Sequence, residues 1–204
     1  MCKIQGMPIA NYRLILASNS PRRKELLSGI DIGYEVRTLP DIDESYGDDL
    51  SPEQVAEFLA GKKASAYMSQ LKEDELLITA DTIVLLDGKV YGKPTDNAGA
   101  KEMLRELSGQ THRVITGVCL TSLTKQVTFS EVTRVTFADL SEEEIAYYVE
   151  KYSPMDKAGA YGVQEWIGYV AVKKIEGSYF NVMGLPIHRL YEELKSGFGY
   201  RVTE

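Results

Sequence analysis

The stretch ASNSPRRKELL, residues 17 to 27, sets two serines and a proline ahead of three consecutive cations. With Ser20 as N-cap and Pro21 as first helical residue, Arg22, Arg23 and Lys24 fall in the first turn. The helix dipole disfavours positive charge there. An anion would reverse that sign. The N–H groups of a helix start, the hydroxyls of Ser18 and Ser20 and the guanidinium groups of Arg22 and Arg23 all suit phosphate oxygens. A solvated basic turn with a capping serine is the plain alternative.

Asp81 stands in the apolar run ITADTIVLL. A carboxylate buried there without a partner is costly. It calls for a metal ion, a neighbouring cation or access to water, in which case it could bind a hard cation or serve as general base. A strand-end aspartate bonded to backbone is the other reading. The acidic stretch DIDES offers Asp41, Asp43, Glu44 and Ser45 as oxygen ligands for Mg²⁺, or is a solvated loop. Lys63 and Lys93 are point charges suited to phosphate, or surface lysines. Gln164 follows the glycines of AGAYG. Its amide offers one acceptor and two donors, matching the alternating edge of uracil or thymine, while a polar loop residue is the alternative. Together these parts could cleave a nucleoside triphosphate.

The elements that must position them are legible from pattern. Residues 12 to 17 read as a buried strand, followed by a helix ending at Gly29 as a C′ glycine. SPEQ at 51–54 opens a helix whose buried face includes Val55, Phe58 and Leu59. ELLITADTIVLLDGKVYGKP reads as a strand interrupted at Asp81, more strand, an Asp-Gly turn and a return strand. Asp96 caps a helix with apolar Ala100, Met103, Leu104 and Leu107, ended by Gly109. Two long strands follow at 112–122 and 126–138, with a bulge between the Val127/Phe129 and Val135/Phe137 faces. SEEE at 141–144 is a capping box. DKAGAYGVQ is a glycine-rich loop, 168–183 a strand pair, and the last helix starts at Pro186. The pattern gives one α/β domain with a mixed sheet.

The chain has 204 residues and a formal net charge of -7, which argues against a nucleic-acid polymer as partner but allows a local cationic site. Two cysteines, Cys2 and Cys119, and two histidines make a disulfide framework or a Cys/His zinc site a poor reading. No apolar run reaches the roughly 20 residues that cross a bilayer, and the N-terminus lacks a signal-peptide core. The expected location is cytoplasmic.

LILASNSPRRKELL, ADTIV with GKVYGKP, LSGQTHRVITG, DKAGAYGVQ and NVMGLP resemble, in order, the motif series of the Maf family of nucleoside triphosphate pyrophosphatases. The resemblance spans the chain from about residue 12, with residues 1–11 a variable extension to a single domain over 1–204. It implies an elongated mixed β-sheet with flanking helices and a central cleft, similar to inosine triphosphate pyrophosphatase. It also implies a need for a divalent cation and places Asp81 on the family's proton acceptor. Glu44 and Asp81 are the expected ligands of that cation, Mg²⁺ or Mn²⁺, and the sequence does not choose between ligand and base for Asp81. Ser18, Ser20, Arg22, Arg23, Lys63 and Lys93 would bind substrate phosphates. Arg22, Thr82 and Gln164 match the branch acting on dTTP and UTP rather than the 7-methyl-GTP branch. A non-catalytic nucleotide-binding regulator of septum formation would not need Asp81 and Glu44. No membrane partner is implied, and a homodimer is compatible with this reading.

Overall fold

The run RLIL forms the first strand, β1 (Arg13–Leu16), in the computed structural model, which describes residues 12–47 and 49–201. Residues 1–11, the expected extension with Cys2, lie outside the described residues. The chain continues through α1 (Pro21–Ser28), β2 (Tyr34–Val36), a 3₁₀ turn (Pro52–Gln54), α2 (Val55–Tyr67), β3 (Glu75–Leu86), β4 (Lys89–Tyr91) and α3 (Asn97–Leu107). There follow β5 (Thr111–Thr121), β6 (Gln126–Phe137), α4 (Glu142–Tyr152), a 3₁₀ turn (Ala158–Ala160), α5 (Trp166–Ala171), β7 (Val172–Glu176), α6 (Tyr179–Met183) and α7 (Ile187–Phe198).

The strands make a seven-stranded sheet in the order β2-β1-β3-β5-β6-β7, with β4 paired to β3. β1 runs parallel to β2 and β3, whereas β4 and β7 run antiparallel to β3 and β6. The sheet is therefore mixed, as the pattern implied, and carries the flanking helices that the family resemblance implied. Two compact units share its long strands. The first contains the described residues of Met1–Asp81, Thr116–Glu131 and Gly184–Glu204. The second contains Thr82–Ile115 and Val132–Met183.

In the first unit β1 and the start of β3 are buried almost throughout, as interior parallel strands covered on both faces must be. α2 buries Val55, Ala56, Leu59, Ala60, Ala64 and Tyr67. Phe58, expected on that face, is 44% exposed. Ala56 and Ala60 lie on the face turned to the sheet, and Phe58, midway between them in sequence, projects from the opposite side of the helix. The approach at that face is close: a Cβ at Gly117 of β5 would sit 2.3 Å from the Ala56 carbonyl oxygen. Gly29 also departs from expectation. It has φ −68°, and the left-handed residue of this turn is Asp31 at φ 55°. The short polar side chain of aspartate tolerates that region.

In the second unit Asp87 and Gly88 both have positive φ, 49° and 82°, the requirement of a two-residue hairpin turn. Asp96 caps α3 through Gly99 N, and Ser141 and Glu144 form a reciprocal capping box at α4. In its pairing with β7, β6 shifts register between Thr136 and Phe137. The expected strand pair at 168–183 is instead α5, β7 and α6. Short apolar runs such as WIGYVAV do not distinguish helix from strand by period.

Candidate functional site

The start of α1 is built as its sequence suggested. Ser20 caps the helix by accepting from Arg23 N at 3.4 Å, and Ser20 N donates to Ser18 Oγ at 3.2 Å. Both hydroxyls act here as acceptors, which leaves each O–H as a donor. The first turn contains no acid. Arg23 is anchored from the side: Nε donates to the Gly184 carbonyl at 2.7 Å and Nη1 to the Ala80 carbonyl at 2.8 Å. Two of its N–H donors thus serve the fold, which a sequence reading as plain phosphate ligand does not reveal. Burial pushes this guanidinium down from its usual range, and Arg22 adds to that, while the negative charges of Asp81 and Glu44 oppose it.

Asp81 does not interrupt its strand; β3 runs unbroken from Glu75 to Leu86. Residues 77, 79 and 81 share one face of the strand. Thr79 Oγ1 donates to the Ala60 carbonyl of α2 at 2.7 Å, and Leu77 packs in one cluster with Ala60, Ala64 and Tyr67. Lys63, one turn beyond Ala60, therefore reaches Asp81: its Nζ lies 2.5 Å from Asp81 Oδ1 and 2.9 Å from Glu44 Oε1. Glu44 is brought there by its loop. Ile42 packs against the same cluster, and Tyr67 Oη accepts from Leu39 N at 2.9 Å.

The neighbouring acid of DIDES has a different task. Asp43 accepts from Lys62 Nζ at 2.7 Å and from Ser45 N and Oγ, both at 2.9 Å. Lys62 hydrogen bonds, followed by those from Ser45, hold the Asp43 carboxyl well below the usual range. Asp43 folds the loop, and Asp41, with φ 52°, turns it. Only Glu44 joins Asp81. Among the described residues no group of three His, Cys, Asp or Glu side chains could hold a metal ion. Two carboxylates converging on one cation nevertheless fit a hard divalent ion, because Mg²⁺ commonly takes one or two carboxylates and completes its shell with water and substrate phosphate.

Thr82 follows Asp81 on the opposite face of β3 and is half-buried. Lys93 is exposed in the turn after β4. The Gly92 carbonyl accepts from Gly159 N at 3.0 Å, which ties that turn to the glycine loop. Gly159 has φ 66°, and a Cβ there would lie 2.8 Å from Val84 Cγ2, so both conformation and space require glycine. Further along, Tyr161 Oη and His112 Nε2 are hydrogen-bonded at 2.7 Å, with Phe137 edge-on to both rings. Burial lowers the His112 pKa to about 4, which keeps the ring neutral. Gln164 closes the loop, and its Oε1 is buried without a hydrogen-bond partner.

The family described as Maf-like protein matches residues 13–197. The chain belongs to the Maf family. It is 62% identical over 187 residues to a dTTP/UTP pyrophosphatase of Phocaeicola vulgatus, across 92% of this chain and 97% of that protein. A Bacteroides thetaiotaomicron relative with the same name is 63% identical, across 90% of this chain and 95% of the relative. One from Porphyromonas gingivalis is 55% identical, across 92% and 95%. The fold of this Maf protein is similar to that of the Staphylococcus aureus Ham1 protein, with a TM-score of 0.50 at 16% identity, across 89% of this chain and 99% of that one.

The first unit of the Maf chain thus brings Arg23, Lys63, Glu44 and Asp81 together beside the serines of α1. The second unit carries Thr82, Lys93 and Gln164. The main-chain carbonyls of Ala80 and Gly184, which fix Arg23, went unread in the sequence. Carbonyl acceptors leave no mark in residue type.

Proposed function

We propose that this Maf protein is a nucleoside triphosphate pyrophosphatase that hydrolyses dTTP and UTP to the nucleoside monophosphate and pyrophosphate. The observation that carries this reading is the convergence of Asp81 and Glu44 on Lys63, beside the cationic start of α1. Anion binding alone would not require two carboxylates. The names of the relatives agree with the reading.

Ser18, Ser20, Arg22, Arg23, Lys63 and Lys93 bind the triphosphate. Asp81 orients a water and takes its proton as the water oxygen bonds to the α-phosphorus. The bond from that phosphorus to the α–β bridging oxygen breaks, and its electron pair leaves with pyrophosphate. Glu44 and Asp81 would hold Mg²⁺ or Mn²⁺, which would supply charge neutralisation and a lowered pKa for bound water. Arg22, Thr82 and Gln164 select the base. The unpartnered Gln164 Oε1 supports this role, because a buried acceptor without a donor is costly until a ligand N–H fills it. Uracil and thymine present an N–H between two carbonyls.

Pyrophosphate release from dTTP, UTP, 7-methyl-GTP and dATP, with Mn²⁺ or Mg²⁺ added, tests the reading. The expected result is a kcat/KM for dTTP and UTP well above that for the purine nucleotides. Binding of dTTP without turnover would make the protein a nucleotide-binding regulator instead.

A further inference from the structure

The second unit contains a charged network, buried at Lys157 and Tyr148, that the proposed chemistry does not use. Lys157 opens the glycine loop and Glu165 ends it, on the residue after Gln164. The Lys157 side chain is only 9% exposed, and its Nζ lies 3.0 Å from Glu165 Oε1 and 2.8 Å from Asp156 Oδ1. The other Glu165 oxygen, Oε2, accepts the hydroxyl proton of Tyr148. Tyr148 is fully buried on α4, and its oxygen in turn accepts from Gly162 N at 3.0 Å. One carboxylate thus closes the loop end to end through Lys157, and Tyr148 pins its middle to a helix.

Gly162 lies directly beneath the result. A Cβ there would meet the Glu165 carboxyl carbon at 2.8 Å and Gln164 Nε2 at 3.0 Å. The Gln164 amide and the Glu165 carboxylate are therefore packed over the same glycine, and the position of one constrains the other. Stability does not demand this construction. A buried ion pair is often no more stabilising than apolar groups of the same volume, because both charges must leave water. An ion pair with a fixed hydroxyl partner does supply direction, which a recognition amide needs from its surroundings.

We infer that Lys157, Glu165 and Tyr148 are positioning residues that hold the Gln164 amide in its reading geometry, and so set how sharply pyrimidine triphosphates are preferred over purine ones. The inference rests on the proposed role of Gln164 as base reader.

The experiment compares kcat/KM for dTTP and dATP in the full-length protein and in Tyr148→Phe, Glu165→Gln and Lys157→Met, with Tm measured for each. Tyr148→Phe and Glu165→Gln retain side-chain volume. The expected result is a dTTP-to-dATP ratio lowered by about tenfold in each variant, the scale of coupling between contacting groups. Gln164→Ala should lower the ratio at least as far. Adding Tyr148→Phe to Gln164→Ala should lower it no further, because the tyrosine acts through the glutamine. A selective wild-type protein whose ratio survives Tyr148→Phe and Glu165→Gln, even with a lower Tm, overturns the inference alone. Equal and additive effects in the double variant do the same. A wild-type protein that does not discriminate bases overturns the role of Gln164 and this inference with it. Should Tyr148→Phe not fold, the Glu165→Gln and Lys157→Met ratios decide the question.

Discussion

Glu75 and Asp81 are two buried acids on one strand, 0% and 8% exposed, six residues apart and on the same face. Their surroundings differ in kind. Glu75 receives both guanidinium arms of Arg37, at 2.8 and 2.6 Å, an arm of Arg13 at 3.1 Å and the Lys72 N–H at 3.1 Å. Every contact comes from the protein itself, and both oxygens are engaged. Asp81 instead pairs with Lys63, whose ammonium it shares with Glu44, and the buried guanidinium of Arg23 interacts with both acids. Glu75 has the coordination of a finished joint, whereas Asp81 and Glu44 are neutralised by an ammonium that a ligand cation could replace. Burial alone does not separate a structural carboxylate from a chemical one; the source of its compensation does.

The comparison breaks most readily at Asp81. Asp81→Asn should lower pyrophosphate release from dTTP at saturating Mn²⁺ by about 10²–10⁴-fold, the range of a lost general base. Its Tm should stay level or rise, because in the proposed mechanism the carboxylate serves chemistry rather than packing. Retention of most wild-type turnover would remove Asp81 from the mechanism. The complementary change, Glu75→Gln, should leave turnover per folded molecule unchanged and cost about 2 kcal/mol. Arg13 and Arg37 keep some contact with water, which places the loss below that of a fully buried pair. Thermal unfolding should register it as a Tm lower by roughly 6 °C.

Lys63→Met sharpens the contrast from the other side. Removing the ammonium leaves Glu44 and Asp81 facing each other without their shared cation. Calorimetric titration of the nucleotide-free protein should then show Mn²⁺ binding about tenfold tighter than in wild type, the effect of one nearby charge at intermediate dielectric. Unchanged or weaker Mn²⁺ binding would mean that these two carboxylates are not the metal pair.

The smallest effects lie in the pH dependence of stability. Hydrogen bonds from Arg37 hold the Glu75 carboxyl below its usual range against the opposing effect of burial. Its contribution is therefore complete above the unfolded value near 4.3 and is lost as pH falls through the lower folded value. His112 acts in an earlier window. Its folded pKa of about 4 lies below the unfolded value near 6.5, so the unfolded chain binds the extra proton first. Stability should fall as pH drops from about 6.5 to about 4, and His112→Asn should flatten the Tm profile there. In Glu75→Gln only the limb below about pH 4.3 should flatten. A wild-type Tm constant between pH 7 and 5 would contradict the buried, neutral assignment of His112.

The sequence by itself determined the local devices whose signals are covalently close. These are the Ser20 cap, the capping box of Ser141 and Glu144, the Asp87-Gly88 hairpin and the basic first turn of α1. It also determined that Asp81 needed an answer, because a carboxylate in an apolar run violates the strand pattern. Glu75 escaped notice because it stands at the edge of that run, where an acid looks solvated. Only tertiary structure supplied the answers. Packing at Gly117 sets the close approach of α2 that leaves the alanines inside and aims Lys63 at Asp81. The choice of Glu44 over Asp43 was made by Lys62, which claims Asp43 from a neighbouring position on the same helix. Composition lists which charges a chain has, but which of them meet depends on contacts between residues far apart in sequence.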